Sequence, residues 1–252
     1  MEREGTTTGI HHPVLPEHAA PVGPYKPLLR VSNVVIGALT LNVVFDLAAA
    51  IVDFQMLGLL ERARDGDVVT FEEAEAHDSR MQAVGMLQLF AVIGAGIPFI
   101  FWLRRAYRNL GALGVRRLRI RPGWAVGAWF VPILNAIRPK SIVNDVWRAS
   151  DPALPRDLAM PPDGAPVAPV INWWWAAFLV SGWFIALGTN DVLDPSLDEV
   201  ISSVRLFLAA DALSVVAGIL AIVVVRKVSL RQEQRRAVLV RAAQQVQTGA
   251  AG

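Results

Sequence analysis

Four long segments of this chain are strongly apolar and carry almost no charge, and the charged residues between them are separated by sign. The segments cover residues 31–59, 81–103, 171–189 and 201–225, each near or above the ~20 residues that a helix needs to cross a hydrocarbon core. Core helices of water-soluble proteins are rarely this apolar. The pattern predicts an all-α integral membrane protein with four transmembrane helices.

The signs of the charges predict how the protein is oriented in the bilayer. Acidic residues dominate residues 61–80 and 191–199, whereas arginine and lysine dominate residues 104–121 and 226–241. Because lysine and arginine are retained on the cytoplasmic side of a membrane, both termini are predicted to be cytoplasmic. The net charge of +2 for the whole chain conceals this separation.

The two ends of the chain differ in composition from its middle. Residues 1–27 contain few apolar groups and are predicted to form a disordered cytoplasmic tail, residues 28–232 the membrane domain, and residues 233–252 a basic, polar cytoplasmic tail. Residues 231–247 are predicted to form a polar helix that is cytosolic or lies at the inner membrane surface. A signal peptide is not expected, because the first apolar segment is too long for one and begins only after residue 30. Cysteine is absent, so disulfides and thiolate metal sites are excluded.

A shorter apolar stretch follows the second segment. Residues 123–137 are too few to cross comfortably and are interrupted by Pro132, so residues 122–150 are predicted to form a short hairpin, either re-entrant or interfacial. Apolar side chains at helical spacing in residues 140–149 predict an amphipathic helix on the inner leaflet, with Asp145 facing water.

Residues 101–150 resemble a family of bacterial membrane proteins grouped as domain of unknown function 4328 (DUF4328). The residues that carry the resemblance are Trp102, Arg104, Arg105, Ala106, Arg108, Asn109, Pro122, Gly123, Trp124, Ala125, Val126, Gly127, Trp129, Pro132, Asn135, Pro139, Trp147, Arg148, Ala149 and Ser150. The resemblance extends more weakly over residues 28–232. It implies a helical protein of the bacterial plasma membrane, and it supplies no catalytic residues.

Polar side chains inside the apolar segments are costly in hydrocarbon and therefore mark a candidate site. Asp46 and Asp53 share one face of the first segment with Asn42, and Ala210, Ser214 and Gly218 form a ridge of small residues on the last. These two faces are predicted to pack together. The candidate intramembrane site comprises Asn42, Asp46, Asp53, Arg205, Asp211 and Ser214.

Equal depths in the membrane predict two pairings within this site. Asp53 and Arg205 are expected to form an ion pair that fixes the helix register. Asp46 and Asp211 have two interpretations. They hold a proton or a cation between them, or each forms hydrogen bonds with Asn42, Ser214 or a backbone carbonyl.

The sequence lacks the motifs of known catalytic sites. No HExxH zinc helix, phosphate-binding glycine loop or GxSxG elbow is present, and the four histidines (His11, His12, His18 and His77) lie outside the apolar segments. No enzyme activity, cofactor or metal site is therefore expected.

The favoured hypothesis is a non-catalytic membrane module that binds anionic lipid, a partner protein or a second copy through a basic, Trp-rich cytoplasmic face. That face comprises Arg104, Arg105, Arg108, Arg116, Arg117, Arg119, Arg121, Trp124, Trp129 and Trp147. Nucleic acid is not expected as a partner, because these arginines flank apolar segments. The alternative is a small ion- or proton-coupled carrier that uses Asp46 and Asp211.

Overall fold

The structure is a computed structural model that describes residues 18–20, 23–189 and 196–249. Its long helices are α1 (Leu29–Arg64), α2 (Phe71–Ala112), α6 (Pro169–Gly188) and α7 (Leu197–Gly249). Between α2 and α6 lie the short helices α3 (Trp124–Gly127), α4 (Pro132–Asn135) and α5 (Arg138–Ala149), with a 3₁₀ turn over Ala128–Phe130. Two short strands, β1 (His18–Ala19) and β2 (Arg117–Leu118), pair antiparallel.

The four predicted apolar segments are confirmed as helices that are long and apolar enough to cross a membrane. Large apolar side chains such as Phe54, Phe90 and Trp173 are exposed on the outside of the bundle, as is typical of helices that face lipid. We call the end at which α1 begins and α2 ends the basic end. The opposite end, which carries the loop between α1 and α2, is the acidic end.

The long helices pack in the order α2, α1, α7, α6. The predicted contact between the first and last apolar segments is confirmed, because α1 packs extensively against α7. Gly218 allows this close approach, since a Cβ atom there would lie 2.5 Å from Cγ2 of Val43. Small residues let helix backbones come together in this way.

The largest cluster of buried apolar side chains lies at the basic end. It includes Trp102, Tyr107 and Val146, each with no exposed surface. The Trp102 indole also donates a 2.9 Å hydrogen bond to Ser229 Oγ on α7. This core lies beyond the apolar stretches of α2 and α7. There α2, α5 and α7 bury apolar side chains against one another, as the helices of a water-soluble protein do.

The last helix joins two stretches that the sequence predicts as separate. The polar helix predicted over residues 231–247 is confirmed as helical, but it continues the last apolar segment without interruption, and α7 ends at Gly249. Arg235, predicted to lie in a cytoplasmic tail, is 1% exposed. Its guanidinium donates hydrogen bonds to backbone carbonyls at the end of α2 and in the chain that follows α5, so this part of α7 belongs to the folded core.

The segment before α1 is also more ordered than expected. The prediction of disorder for residues 1–27 is wrong for residues 18–20, which pair with residues 116–118, and for residues 23–27; residues 1–17 and 21–22 lie outside the described residues. Asn109 on α2 accepts a 3.0 Å hydrogen bond from the Lys26 amide and donates a 2.8 Å bond to the Lys26 carbonyl. The Leu28 amide donates to Glu233 at 2.8 Å. These partners are more than 80 residues away in sequence, so local composition does not reveal them.

The predicted apolar face of α5 is confirmed, since Ile142, Val143 and Val146 are buried. The prediction that Asp145 faces water is wrong, because its side chain is 4% exposed and accepts a 3.1 Å hydrogen bond from Arg119 Nε. Burial raises the pKa of Asp145 to about 6, although the neighbouring Arg119 lowers it. The helix is covered because α2 and α7 pack on it, which hydrophobic periodicity alone does not show.

Candidate functional site

A cavity of about 850 Å³ lies between α2 and α6, with α1 and α7 behind it. At the basic end it is closed by an aromatic cluster in which the Phe99 ring lies 5.8 Å from Trp129 and 5.7 Å from Trp174, measured between centroids. Pro132 and Asn135 from the short helices also line this end. The remaining walls are mainly apolar, so a polar group within the cavity has few partners other than its own neighbours.

Polar side chains of three helices meet on the wall of this cavity. Gln88 Nε2 on α2 donates hydrogen bonds to Asp211 Oδ1 on α7 at 2.9 Å and to Asp46 Oδ1 on α1 at 3.3 Å. Asn42 Nδ2 donates to Asp46 Oδ2 at 2.8 Å. Ser214 also lines the cavity. One amide thus bridges the two carboxyl groups that the sequence places at equal depth.

The predicted ion pair between Asp53 and Arg205 is wrong. Asp53 is buried and lies beside Asp211 on the cavity wall, whereas Arg205 Nη2 lies 2.9 Å from Glu61 Oε1. The reason is the length of α1, which continues to Arg64 and carries Glu61 to the level that the flexible Arg205 side chain reaches. The ion pair that Arg205 forms between α7 and α1 therefore lies at the acidic end, where both side chains are about half exposed.

Gln88 is the site residue that the sequence analysis missed. The predicted site was built around charged side chains and the polar residues that share their helix faces, and the apolar stretch of α2 carries no charged residue beside Gln88. An uncharged amide is nevertheless costly in hydrocarbon unless it is hydrogen-bonded. The isolated position of Gln88 in an apolar stretch is therefore the signal that indicates a partner.

The composition of the cavity wall limits its chemistry. Among the described residues that line it, none is lysine, arginine or histidine. No described group of three or more His, Cys, Asp or Glu side chains is arranged to hold a metal ion. The polar groups that the structure shows on this wall include the carboxyls of Asp46, Asp53 and Asp211 and the amides of Asn42 and Gln88.

The predicted basic face is divided by the structure into exposed and paired arginines. Arg104, Arg108 and Arg121 are exposed. Arg116 is paired with Asp157, and Arg119 is paired with Asp145 and Asp163. Arg105 is half-buried. Arg117 is exposed and has an interaction partner within the protein.

The three tryptophans of the predicted face contact the protein itself. The Arg138 guanidinium lies 5.1 Å from the centroid of Trp124, and that of Arg231 lies 4.4 Å from Trp147. Trp129 belongs to the aromatic cluster that closes the cavity. Cation–π and aromatic contacts of this kind stabilise the fold. The tryptophans therefore hold the short helices in place. The groups that this end exposes to a ligand are the side chains of arginine and lysine.

A family model described as "Domain of unknown function (DUF4328)" matches residues 65–229. No curated protein matches the chain, and no solved structure does.

Proposed function

We propose that this chain, which belongs to the DUF4328 family, is a non-catalytic, multi-pass protein of the plasma membrane that binds anionic lipid at its basic end. In this proposal the four apolar helices cross the bilayer, and the basic end and both termini lie on the cytoplasmic side. The α3–α5 hairpin lies at the inner interface, where its exposed Phe130 and Ile133 enter the lipid.

One observation supports this proposal most directly. Exposed lysines and arginines lie where α1 begins, where the apolar parts of α2 and α7 end, and just before α3. We call this set the basic ring: Lys26, Arg30, Arg104, Arg108, Arg121, Arg226 and Lys227. Each such residue near an anionic surface contributes ~1 kcal/mol of attraction.

The acidic end differs from the basic end in how its charges are satisfied. Arg62 and Arg64, two of its bases, pair with nearby carboxylates, as does Arg205. The basic ring therefore offers the stronger attraction for lipid phosphates. An acidic partner protein, or a second copy of the chain, is the alternative occupant of the same ring.

The test is the lipid preference of the protein reconstituted in bilayers with spin-labelled phosphatidylglycerol or phosphatidylcholine. We expect the protein to slow the motion of a larger fraction of the spin-labelled phosphatidylglycerol than of the phosphatidylcholine. Added salt should reduce this difference by screening the charges. A variant carrying Arg121→Gln, Arg226→Gln and Lys227→Gln should show a smaller preference. The matched control removes three charges at the acidic end, at Arg62, Arg64 and Arg80. Equal restriction of the two lipids by the unmodified protein would contradict the proposal.

A second candidate function is favoured by the bridge that Gln88 makes between Asp46 and Asp211 beside the large cavity. Under this hypothesis the protein is a carrier that moves a proton or a monovalent cation through these carboxyl groups. Proton or cation uptake into proteoliposomes should be lost in Asp46→Asn and in Asp211→Asn. The control is Asp78→Asn, an exposed carboxyl near the start of α2. Unchanged flux in both cavity variants would end the carrier hypothesis.

A further inference from the structure

A second cavity, of about 420 Å³, lies at the basic end between the segment before α1 and the side of α2. It is lined by Gly23, Pro24, Lys26, Val31, Phe101, Arg104, Arg105, Arg108 and Asn109. Four of these residues are basic and none is acidic. A concave site with this composition selects an anion.

The wall of this cavity is held by hydrogen bonds that join three parts of the chain. Asn109 is 4% exposed and bonds both backbone groups of Lys26. It also donates to Gln232 Oε1 on α7 at 3.0 Å. The segment that carries Lys26 is thus fixed against α2, and the basic groups are brought together before any ligand binds.

The basic side chains come from two elements and differ in exposure. Arg104 and Arg108 are one helical turn apart on α2 and therefore lie on the same face. Both are exposed, as is Lys26 opposite them. Nε of Arg105 is buried and has no hydrogen-bond partner in the described structure. Guanidinium groups bind phosphate oxygens through paired hydrogen bonds, which suits them to a phosphate ligand.

The cavity also has an apolar side, formed by Val31 and Phe101. Phe101 is 60% exposed and belongs to the last part of the apolar stretch of α2. A soluble anion such as phosphate has no apolar group that could contact this surface. A phospholipid has its acyl chains, which continue from the phosphate into the hydrocarbon.

We propose that this cavity binds the phosphate of an anionic phospholipid through Lys26, Arg104 and Arg108, with the acyl chains along Val31 and Phe101. The inference rests on the proposed function, because it requires the basic end to lie at the lipid headgroups. It adds to that function one defined site among the general contacts of the basic ring.

The experiment measures binding of phosphatidylglycerol to the full chain in detergent micelles by native mass spectrometry. The unmodified protein should retain one phosphatidylglycerol more tightly than further copies. Arg104→Gln and Arg108→Gln should each weaken this binding about ten-fold, as expected for a lost charge-assisted hydrogen bond. Lys26 lies outside the helices, so Lys26→Gln tests the opposite wall without altering α2 and should also weaken the binding.

The matched control carries Arg121→Gln and Arg226→Gln, which remove charge from the basic ring outside the cavity. It should bind the tightest phosphatidylglycerol as the unmodified protein does. Equal weakening in the control and the cavity variants would overturn the defined site and leave the general lipid preference of the proposed function intact. A wild-type protein with no preference over phosphatidylcholine would contradict both.

A second comparison separates the lipid from a soluble phosphate. Phe101→Asn should weaken binding of phosphatidylglycerol while binding of soluble glycerol phosphate is unchanged. The unmodified protein should bind the soluble compound more weakly than the lipid. Equal affinity for the two would overturn the assignment of the cavity to a phospholipid.

Discussion

Replacing Arg235 by alanine is expected to lower the free energy of unfolding by about 3–5 kcal/mol, the range typical of breaking a buried charged network. The guanidinium donates to the carbonyls of Leu113 at 3.0 and 3.2 Å, Asp151 at 2.7 Å, Pro155 at 2.9 Å and Leu154 at 3.4 Å. Burial lowers the pKa of this guanidinium, and the Asp151 carboxylate opposes the shift. The alanine variant would leave several of these carbonyls without a donor.

The measurement is the midpoint of thermal unfolding in detergent, together with proteolysis of residues 151–168. Arg235→Lys should recover part of the stability, because an ammonium group cannot reproduce the planar fork of donors. Arg241→Ala is the control, since Arg241 is exposed on the same helix. Equal midpoints for Arg235→Ala and Arg241→Ala would show that Arg235 does not hold this end together.

Gly114→Ala is expected to lower the free energy of unfolding by about 2–6 kcal/mol, since strained backbone and overpacking each contribute ~1–3 kcal/mol. Gly114 has φ +93°, and a Cβ atom there would lie 1.8 Å from the Arg156 carbonyl oxygen. That contact is fixed by the backbone, because the Leu158 amide donates to the Gly114 carbonyl at 2.8 Å. The chain after α5 would have to move away from the end of α2.

Gly66→Ala provides the matched control for this substitution. Gly66 has a similar φ of +89°, and no atom lies within 4 Å of the position its Cβ would take. Thermal unfolding of the two variants therefore separates backbone strain, which both share, from the collision, which only Gly114→Ala suffers. The same loss of stability in both variants would contradict the role given to the Gly114 contact.

The parts of the fold that the sequence predicts are those that depend on local pattern. Segment length and low charge identify the four apolar helices, and the small residues around Gly218 identify the face of α7 that meets α1. The core at the basic end depends instead on contacts between distant segments. Asp145 lies among polar and apolar residues alike, and only the folded structure shows that its carboxyl is buried and accepts a hydrogen bond from Arg119.

The candidate sites show the same division. Depth along two helices places Asp46 and Asp211 at one level, but it does not show that Gln88 joins them. Equal depth in the membrane also predicts that Asp53 pairs with Arg205. That prediction is wrong because depth along the helix does not include the length of the arginine side chain, which extends to Glu61. On the basic face, no local pattern predicts that Arg116 forms an ion pair with Asp157 or that Arg119 forms one with Asp163. These pairs form because residues 151–168 fold back beside residues 116–119.

The central claim is that the helices cross the bilayer with the acidic end outside and the basic end inside, and single-cysteine labelling tests it most directly. The chain has no cysteine of its own. Val68, which is 85% exposed between α1 and α2, and Ala153, which is exposed after α5, are suitable positions. A membrane-impermeant maleimide added to intact cells should label Val68→Cys and should reach Ala153→Cys only after permeabilisation. Labelling of both positions from the same side of the membrane would contradict the account.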